Sequence, residues 1–164
     1  QADAAAPVAD AAAAVRGTVG TLRTLLVDLY PPGLDEQGLP GALDDLLVPL
    51  RSRGVSTTLR IEDAPLSDPD RRLVHRVCQE CLRNAAKHSG ATAVGVVLAA
   101  SGGGWTLTVS DNGHGFDVER TVADPVPGHL GLRILADLAA DAGASLRVAS
   151  DADGTTWELR KDST

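Results

Sequence analysis

The sequence predicts an α+β fold: a two-layer α/β sandwich, one mixed sheet with its helices on one face, preceded by a stem helix. Three observations point there. The element order reads helix, helix, strand, helix, strand, strand, helix and a terminal strand pair, which suits one sheet ending in a hairpin. The strand segments alternate apolar and polar residues, while the helical ones carry a single apolar stripe. The 164 residues are 43% apolar and 23% charged, so the chain is globular rather than disordered and long enough for one domain plus an appendage.

Residues 1–30 read as the stem helix. Val8, Ala12, Val15, Val19, Leu22, Leu26 and Leu29 follow an alternating four–three spacing, the heptad pattern of a helix packed on other helices. An ordinary core helix is the alternative. Gly17 and Gly20 each cost it about 1 kcal/mol relative to Ala. Pro31, Pro32 and Gly33 stop it, and residues 31–38 form a junction.

The compact domain occupies residues 39–164. A helix from about Leu39 to Leu50 places Leu39, Leu43, Leu46, Leu47 and Leu50 on one side. Val55, Thr57, Leu59 and Ile61 alternate as a strand. Ser67-Asp68-Pro69 supplies a cap and a first-turn proline for a helix running to about His88, where Ser89-Gly90 ends it. Strands follow near Thr92–Leu98 and Trp105–Ser110, then a Gly-rich loop from Asp111 to His129. A helix from about Leu130 to Ala142 and strands near Ser145–Ala149 and Thr155–Leu159 complete the chain.

The net charge of −7 argues against duplex nucleic acid as a partner, since phosphate neutralisation needs clustered Lys and Arg. A nucleotide is not excluded, because its binding depends on local groups. No stretch is apolar and long enough to span a membrane. The chain begins at Gln1 and contains no Met, so it is expected to be a piece of a longer protein, with any membrane anchor or sensor upstream.

Three segments carry candidate chemistry. On the helix before Gly90, Arg76, Glu80, Asn84 and Lys87 fall within one arc beside the apolar arc of Val74, Cys78, Cys81, Leu82 and Ala85. Such a stripe is a cleft wall or a solvated face. Asp111-Asn112-Gly113-His114-Gly115 leaves a strand at an acidic residue, and its glycines remove side chains where a backbone would approach a ligand. The same residues also make a good turn. Gly128-His129-Leu130-Gly131-Leu132 precedes a helix whose free N–H groups suit phosphate, or is a plain loop-to-helix joint. Cys78 and Cys81 read as small buried hydrophobes, because no second pair completes a zinc site. His75, roughly opposite the stripe, reads as surface, and His114 and His129 as solvated loop residues.

Taken in this order, the segments resemble the catalytic domains of sensor histidine kinases in the gyrase–chaperone–kinase–mismatch-repair ATPase superfamily, which have the Bergerat-type ATP-binding fold. Glu80-x-x-x-Asn84 with Lys87-His88 resembles the N-box, Asp111-x-Gly113-x-Gly115 the first glycine box, and Gly128-x-x-Gly131-Leu132 the second. Gly154-Thr155-Thr156 is similar to the Gly-Thr pair opening the last strand. Leu22 through Leu29, Tyr30-Pro31-Pro32 and Gly38-Leu39 resemble the stem-to-catalytic junction of nitrate-sensor and desaturation-sensor kinases.

The resemblance implies the cofactors ATP and Mg²⁺. It implies that Asp111 reads the adenine amino group, Gly113 and Gly115 bring the backbone to the base, and Asn84 holds Mg²⁺. Lys87, His88, Gly128, Gly131 and Leu132 would meet the phosphates, with Thr155 at the site and Glu80 as catalytic base. The implied reaction moves the γ-phosphoryl of ATP to a histidine on an upstream stem helix, and thence to a response regulator with a helix-turn-helix output, in a cytoplasmic homodimer without direct nucleic-acid contact. The acceptor motif itself is not found in the sequence, so self-labelling on histidine is not expected. Competing readings are a stand-alone ATPase, an anti-sigma-type serine kinase of the same superfamily, and a degenerate interaction module.

Overall fold

The computed structural model describes residues 34, 36–118 and 130–163, all within the compact unit Gly33–Thr164. The predicted stem helix, the Pro31-Pro32 junction and most of the Gly-rich loop, including Gly128 and His129, lie outside the described residues.

The elements are α1 (Gly38–Arg51), β1 (Ser56–Ile61), α2 (Asp68–Asn84) continuing into a π-helical turn (Ala85–Ser89), β2 (Ala93–Ser101), β3 (Gly104–Asp111), α3 (Leu130–Asp141), β4 (Ser145–Asp151) and β5 (Gly154–Lys161). The strands form one five-stranded sheet in the order β1-β2-β3-β5-β4. β1 runs parallel to β2 and every other pair is antiparallel, so the sheet is mixed as expected.

Alternation sets the core. Val94, Val96 and Leu98 of β2, Trp105, Leu107 and Val109 of β3, and Trp157 and Leu159 of β5 are buried. They meet Val74, Val77, Cys78, Cys81 and Leu82 of α2, Leu43 and Leu47 of α1, and Leu135 and Ala139 of α3. Each large side chain so buried contributes about 1.5–3 kcal/mol. Following the period of two, the next inward positions beyond Val109 and before Trp157 are Asp111 and Thr155. They pair with one another in the β3–β5 register. Polar residues therefore take over the inner face at one end of the sheet.

α2 starts where the sequence placed it. Ser67 Oγ accepts from Asp70 N–H, and the Asp70 carboxylate accepts from Ser67 N–H and O–H, a capping box followed by Pro69 in the first turn. Asp70 also takes Lys161 Nζ at 2.7 Å, tying the helix start to the end of β5.

Two expectations change. His75 is buried at 7% exposure rather than on the surface, because α2 packs against α1 and α3 as well as the sheet and so buries more than one stripe. The helix also does not stay α-helical to His88. Its last five residues are a π-helix, which closes i→i+5 bonds and turns less per residue.

Candidate functional site

A cavity of about 300 Å³ opens at the polar end of the inner sheet face. Asn84, His88 and Ser89 line it from the end of α2, Asp111 and His114 to Phe116 from β3 and its loop, and Thr155 and Trp157 from β5. Three motifs far apart in sequence thus share one cavity: the Glu80–His88 stripe, the Asp111–Gly115 turn and the Gly154-Thr155 strand start.

The π-helical turn decides which stripe residues arrive there. Asn84 and His88 line the cavity, whereas Lys87 is exposed and does not. A constant 100° step put Lys87 in the arc of Glu80 and Asn84; the wider π turn rotates the residues after Asn84 away from it. The turn is held by Ser89 Oγ, which donates to Ala85 C=O at 2.8 Å and accepts from Ala91 N–H at 3.1 Å. Among the described residues the half-buried Asn84 amide has no hydrogen-bond partner, leaving its oxygen available to a ligand or a hard cation.

Glu80 is buried at 8% exposure, does not line the cavity, and accepts from Arg83 at 2.5 Å. The predicted polar stripe is therefore split between a buried carboxylate paired with an exposed guanidinium, a cavity wall and a solvated end. The stripe is not an entirely solvated face, since of Arg76, Glu80, Asn84 and Lys87 only Lys87 is fully exposed.

The Asp111 turn is built from short contacts. Asp111 Oδ1 accepts from Gly113 N–H at 2.9 Å. Asn112 Oδ1 accepts from Thr92 and Ala93 N–H at 2.9 and 2.8 Å, stitching the loop to the start of β2. His114 N–H donates to Ser89 C=O at 2.9 Å, joining the loop to the π turn. Phe116 N–H donates to Ser150 Oγ at 2.8 Å, and that hydroxyl lies 2.8 Å from Thr155 Oγ1.

These contacts revise the reason for the glycines. A Cβ on Gly113 would lie 2.3 Å from Ser89 O, and one on Gly115, where φ is +60°, 1.9 Å from Asp151 O. The close approach that requires glycine is to protein backbone at both positions. Gly131 and Leu132 belong to the first turn of α3, and Leu132 is half-buried against the core.

Phe116, Trp157, Ser89, Ala85 and His114 are cavity residues that motif reasoning did not select. Trp157 was findable, because it stands two residues after Thr155 on an alternating strand. Ser89 was not, since its place depends on the π turn. Cys78 and Cys81 are free and buried as expected; burial pushes the Cys78 thiol up to about 12 and Cys81 well above its ordinary value. No cluster of His, Cys, Asp and Glu among the described residues could hold a metal on its own, and no helix among them could cross a membrane.

Residues 69–164 match the family of histidine kinase-, DNA gyrase B- and HSP90-like ATPases, and the chain belongs to it. Among the proteins it is similar to are sensor histidine kinases. It is 34% identical to the sensor histidine kinase MctS of Rhizobium johnstonii, over 94% of this chain and 34% of that protein. It is 30% identical to the sensor histidine kinase LiaS of Bacillus subtilis, over 85% of this chain and 38% of that one. The chain thus spans little more than a third of the curated relatives it matches. The fold is shared with the histidine kinase AdeS of Acinetobacter baumannii, at a TM-score of 0.65 and 18% identity over 91% of this chain and 82% of that one.

Proposed function

We propose that this chain binds ATP in the cavity and transfers its γ-phosphoryl group to a histidine of an upstream stem helix, from which a response regulator receives it. One observation carries the reading: residues of the N-box, the first glycine box and the Gly-Thr pair line the same cavity. Asp111 accepts from the adenine amino group, a contact that guanine, with a carbonyl at the corresponding position, does not offer. Thr155 sits beside it across the β3–β5 pair. Gly115 carries the turn past the base.

Asn84 would hold Mg²⁺ through its unpartnered amide oxygen. One oxygen donor fits this ion, which takes most of its ligands from phosphates and water. When bound it neutralises charge on the triphosphate. His88 reaches the phosphates from the cavity wall and Lys87 from the solvated end of the helix. Gly131 and Leu132 offer backbone N–H groups where α3 begins, and Gly128, three residues earlier in the sequence, would join them at the phosphates. In the transfer the bond from the bridging oxygen to the γ-phosphorus breaks as a nitrogen–phosphorus bond forms. Such a step asks mainly for alignment and charge neutralisation. Glu80 serves the incoming imidazole as base once Arg83 releases it. The stem of residues 1–30, a homodimer partner, the nitrate-sensor-like subfamily, the helix-turn-helix output and the cytoplasmic side complete this reading.

Calorimetric titration tests the site. ATP should bind more tightly than GTP, and Asp111→Asn should weaken ATP by about 1.5–3 kcal/mol, the range for a hydrogen bond to a charged group. Equal affinities for the two nucleotides would refute the role of Asp111. Incubation with γ-labelled ATP and a separately supplied upstream stem segment should give acid-labile, alkali-stable label on that segment and none on this chain.

A further inference from the structure

Glu80 and Asn84 share one face of α2, a single turn of about 5.4 Å apart, yet Asn84 lines the cavity and Glu80 does not. The carboxylate is held beside the cavity by Arg83, at 2.5 Å. An ordinary surface pair three residues apart on a helix has both ends in water. Here the acid side chain is only 10% exposed while the guanidinium is 54% exposed, so a buried anion is tied to a cation standing outside.

The two cations around Glu80 are unequal. Arg76, one turn earlier, is half-buried and acts on Glu80 through its charge. Arg83 is mostly in water, and an ion pair with an exposed partner is weak and screened by salt. Arg83 can therefore leave while Arg76 still compensates the buried carboxylate. A change between staggered rotamers then carries that carboxylate along the helix face toward Asn84. Arg83 does not line the cavity, so its departure leaves the nucleotide's contacts in place.

We propose that Arg83 is a positioning residue that latches Glu80 outside the cavity and so withholds the base from water while no acceptor is docked. This rests on the reading of Glu80 as base and adds to it a guard against hydrolysis. A free Glu80 beside bound ATP would serve water as readily as an imidazole. The water oxygen would bond to the γ-phosphorus as the bond from the bridging oxygen breaks, its proton would pass to Glu80, and ADP would leave. Arg83 acts through Glu80 alone. It stands on the exposed side of α2, where a docking acceptor can open the latch.

The experiment uses the chain as it stands, with saturating ATP and Mg²⁺ and no acceptor. Release of inorganic phosphate is followed together with calorimetric ATP affinity. Arg83→Met keeps an aliphatic stem and removes the charge. It should raise hydrolysis by about fivefold, the weight of a partly exposed ion pair, with ATP affinity within about twofold of wild type. Arg83→Lys should restore slow hydrolysis. In the Glu80→Gln background Arg83→Met should change nothing, because no base remains to be held. Should Arg83→Met fold poorly, the wild type supplies the reading. Its hydrolysis should rise between about 0.1 and 1 M salt, as the screening length shrinks from about 10 to about 3 Å, and that of Glu80→Gln should not. The latch is overturned if folded Arg83→Met is no faster than wild type, if the same gain appears with Glu80→Gln, or if wild-type hydrolysis ignores salt. Absence of calorimetric ATP binding to the wild type would overturn the ATP reading, and Glu80→Gln transferring phosphoryl as the wild type does would overturn the base reading. Either removes the latch as well, and neither can be mistaken for failure of the latch alone.

Discussion

Arg83 holds the Glu80 carboxylate at 2.5 Å, three residues along the same helix, with the acid side chain 10% exposed and the guanidinium 54% exposed. Arg76, one turn earlier, is electrostatically coupled to both. Burial lowers its pKa most, the Glu80 charge raises it and the Arg83 charge lowers it. Glu80 is therefore a buried carboxylate between two cations, outside the cavity wall.

It follows that Glu80→Gln leaves nucleotide affinity within about twofold, since the side chain does not line the cavity, while lowering phosphoryl transfer by about 100-fold, a typical share for a proton-transfer group. Calorimetry and a transfer assay on the same protein check this. Parallel loss of affinity would mean that Glu80 acts on the bound nucleotide rather than on the acceptor.

Acid stability separates two buried groups. Burial lowers the pKa of His75, so its neutral form is favoured in the folded state. Stability from that group is fully present above the unfolded value near 6.5 and is lost as pH falls below it. For Asp70, burial raises the pKa, but hydrogen bonds from Lys161 and Ser67 and the Lys161 charge outweigh it, and the net shift is downward. Its contribution is present above about pH 3.9 and is lost as pH falls through the lower folded value. His75→Leu should thus flatten the stability curve as pH falls below about 6.5, and Lys161→Met should flatten it only below about pH 4. Lys161→Met should also cost about 1–3 kcal/mol at neutral pH, because Asp70 loses its charged partner. Denaturant titrations across pH check both; a single common window for the two variants would contradict the assignment.

The two thiols should be inert in the folded protein. Burial raises both, Cys78 to about 12, and reaction requires the thiolate. A thiol-specific reagent at pH 8 should modify neither until denaturant unfolds the chain, at which point both react. Rapid reaction of the native protein would show that α2 opens locally far more often than its packing implies.

How much of this was legible follows from the period each inference used. Strand alternation found the strands of the described residues, while Asp111 and Thr155 were singled out by their motifs and stand where that alternation reaches the polar end of the sheet. The capping box at Ser67 was legible because its chemistry is local. The helical wheel failed where its 100° step failed: beyond Asn84 the π turn separates Lys87 from His88, and the wheel has no means of anticipating it. It also took His75 for a surface residue, since a wheel shows one apolar arc and cannot know that α1 and α3 cover others. Phe116 was quoted within its motif but assigned no role, because its pairing with Trp157 depends on a contact 41 residues away in sequence, which only the sheet brings about.

The glycines of the loop provide the sharpest test of why the site has its shape. Gly113 has no positive φ, so backbone conformation does not demand glycine there. The demand is steric: a Cβ would sit 2.3 Å from Ser89 O and 2.4 Å from Ser89 Cβ, both in the π turn. The turn cannot yield cheaply, since Ser89 Oγ is bonded to Ala85 C=O and Ala91 N–H, and His114 N–H is bonded to Ser89 C=O. Gly113→Ala must therefore push the Asp111 turn away from α2, displacing Asp111 Oδ1 from its bond to Gly113 N–H. Gly54 is the control, because its φ of +83° is strained for alanine but nothing lies within 4 Å of the added carbon. Gly54→Ala should cost about 1 kcal/mol and leave ATP affinity untouched. Gly113→Ala should cost about 2–4 kcal/mol, in the range of overpacked cores and above, and weaken ATP at least tenfold. Thermal unfolding and calorimetric titration of the two variants side by side decide it. If Gly113→Ala proves no worse than Gly54→Ala in both measurements, the loop does not lean on the π turn as the distances state.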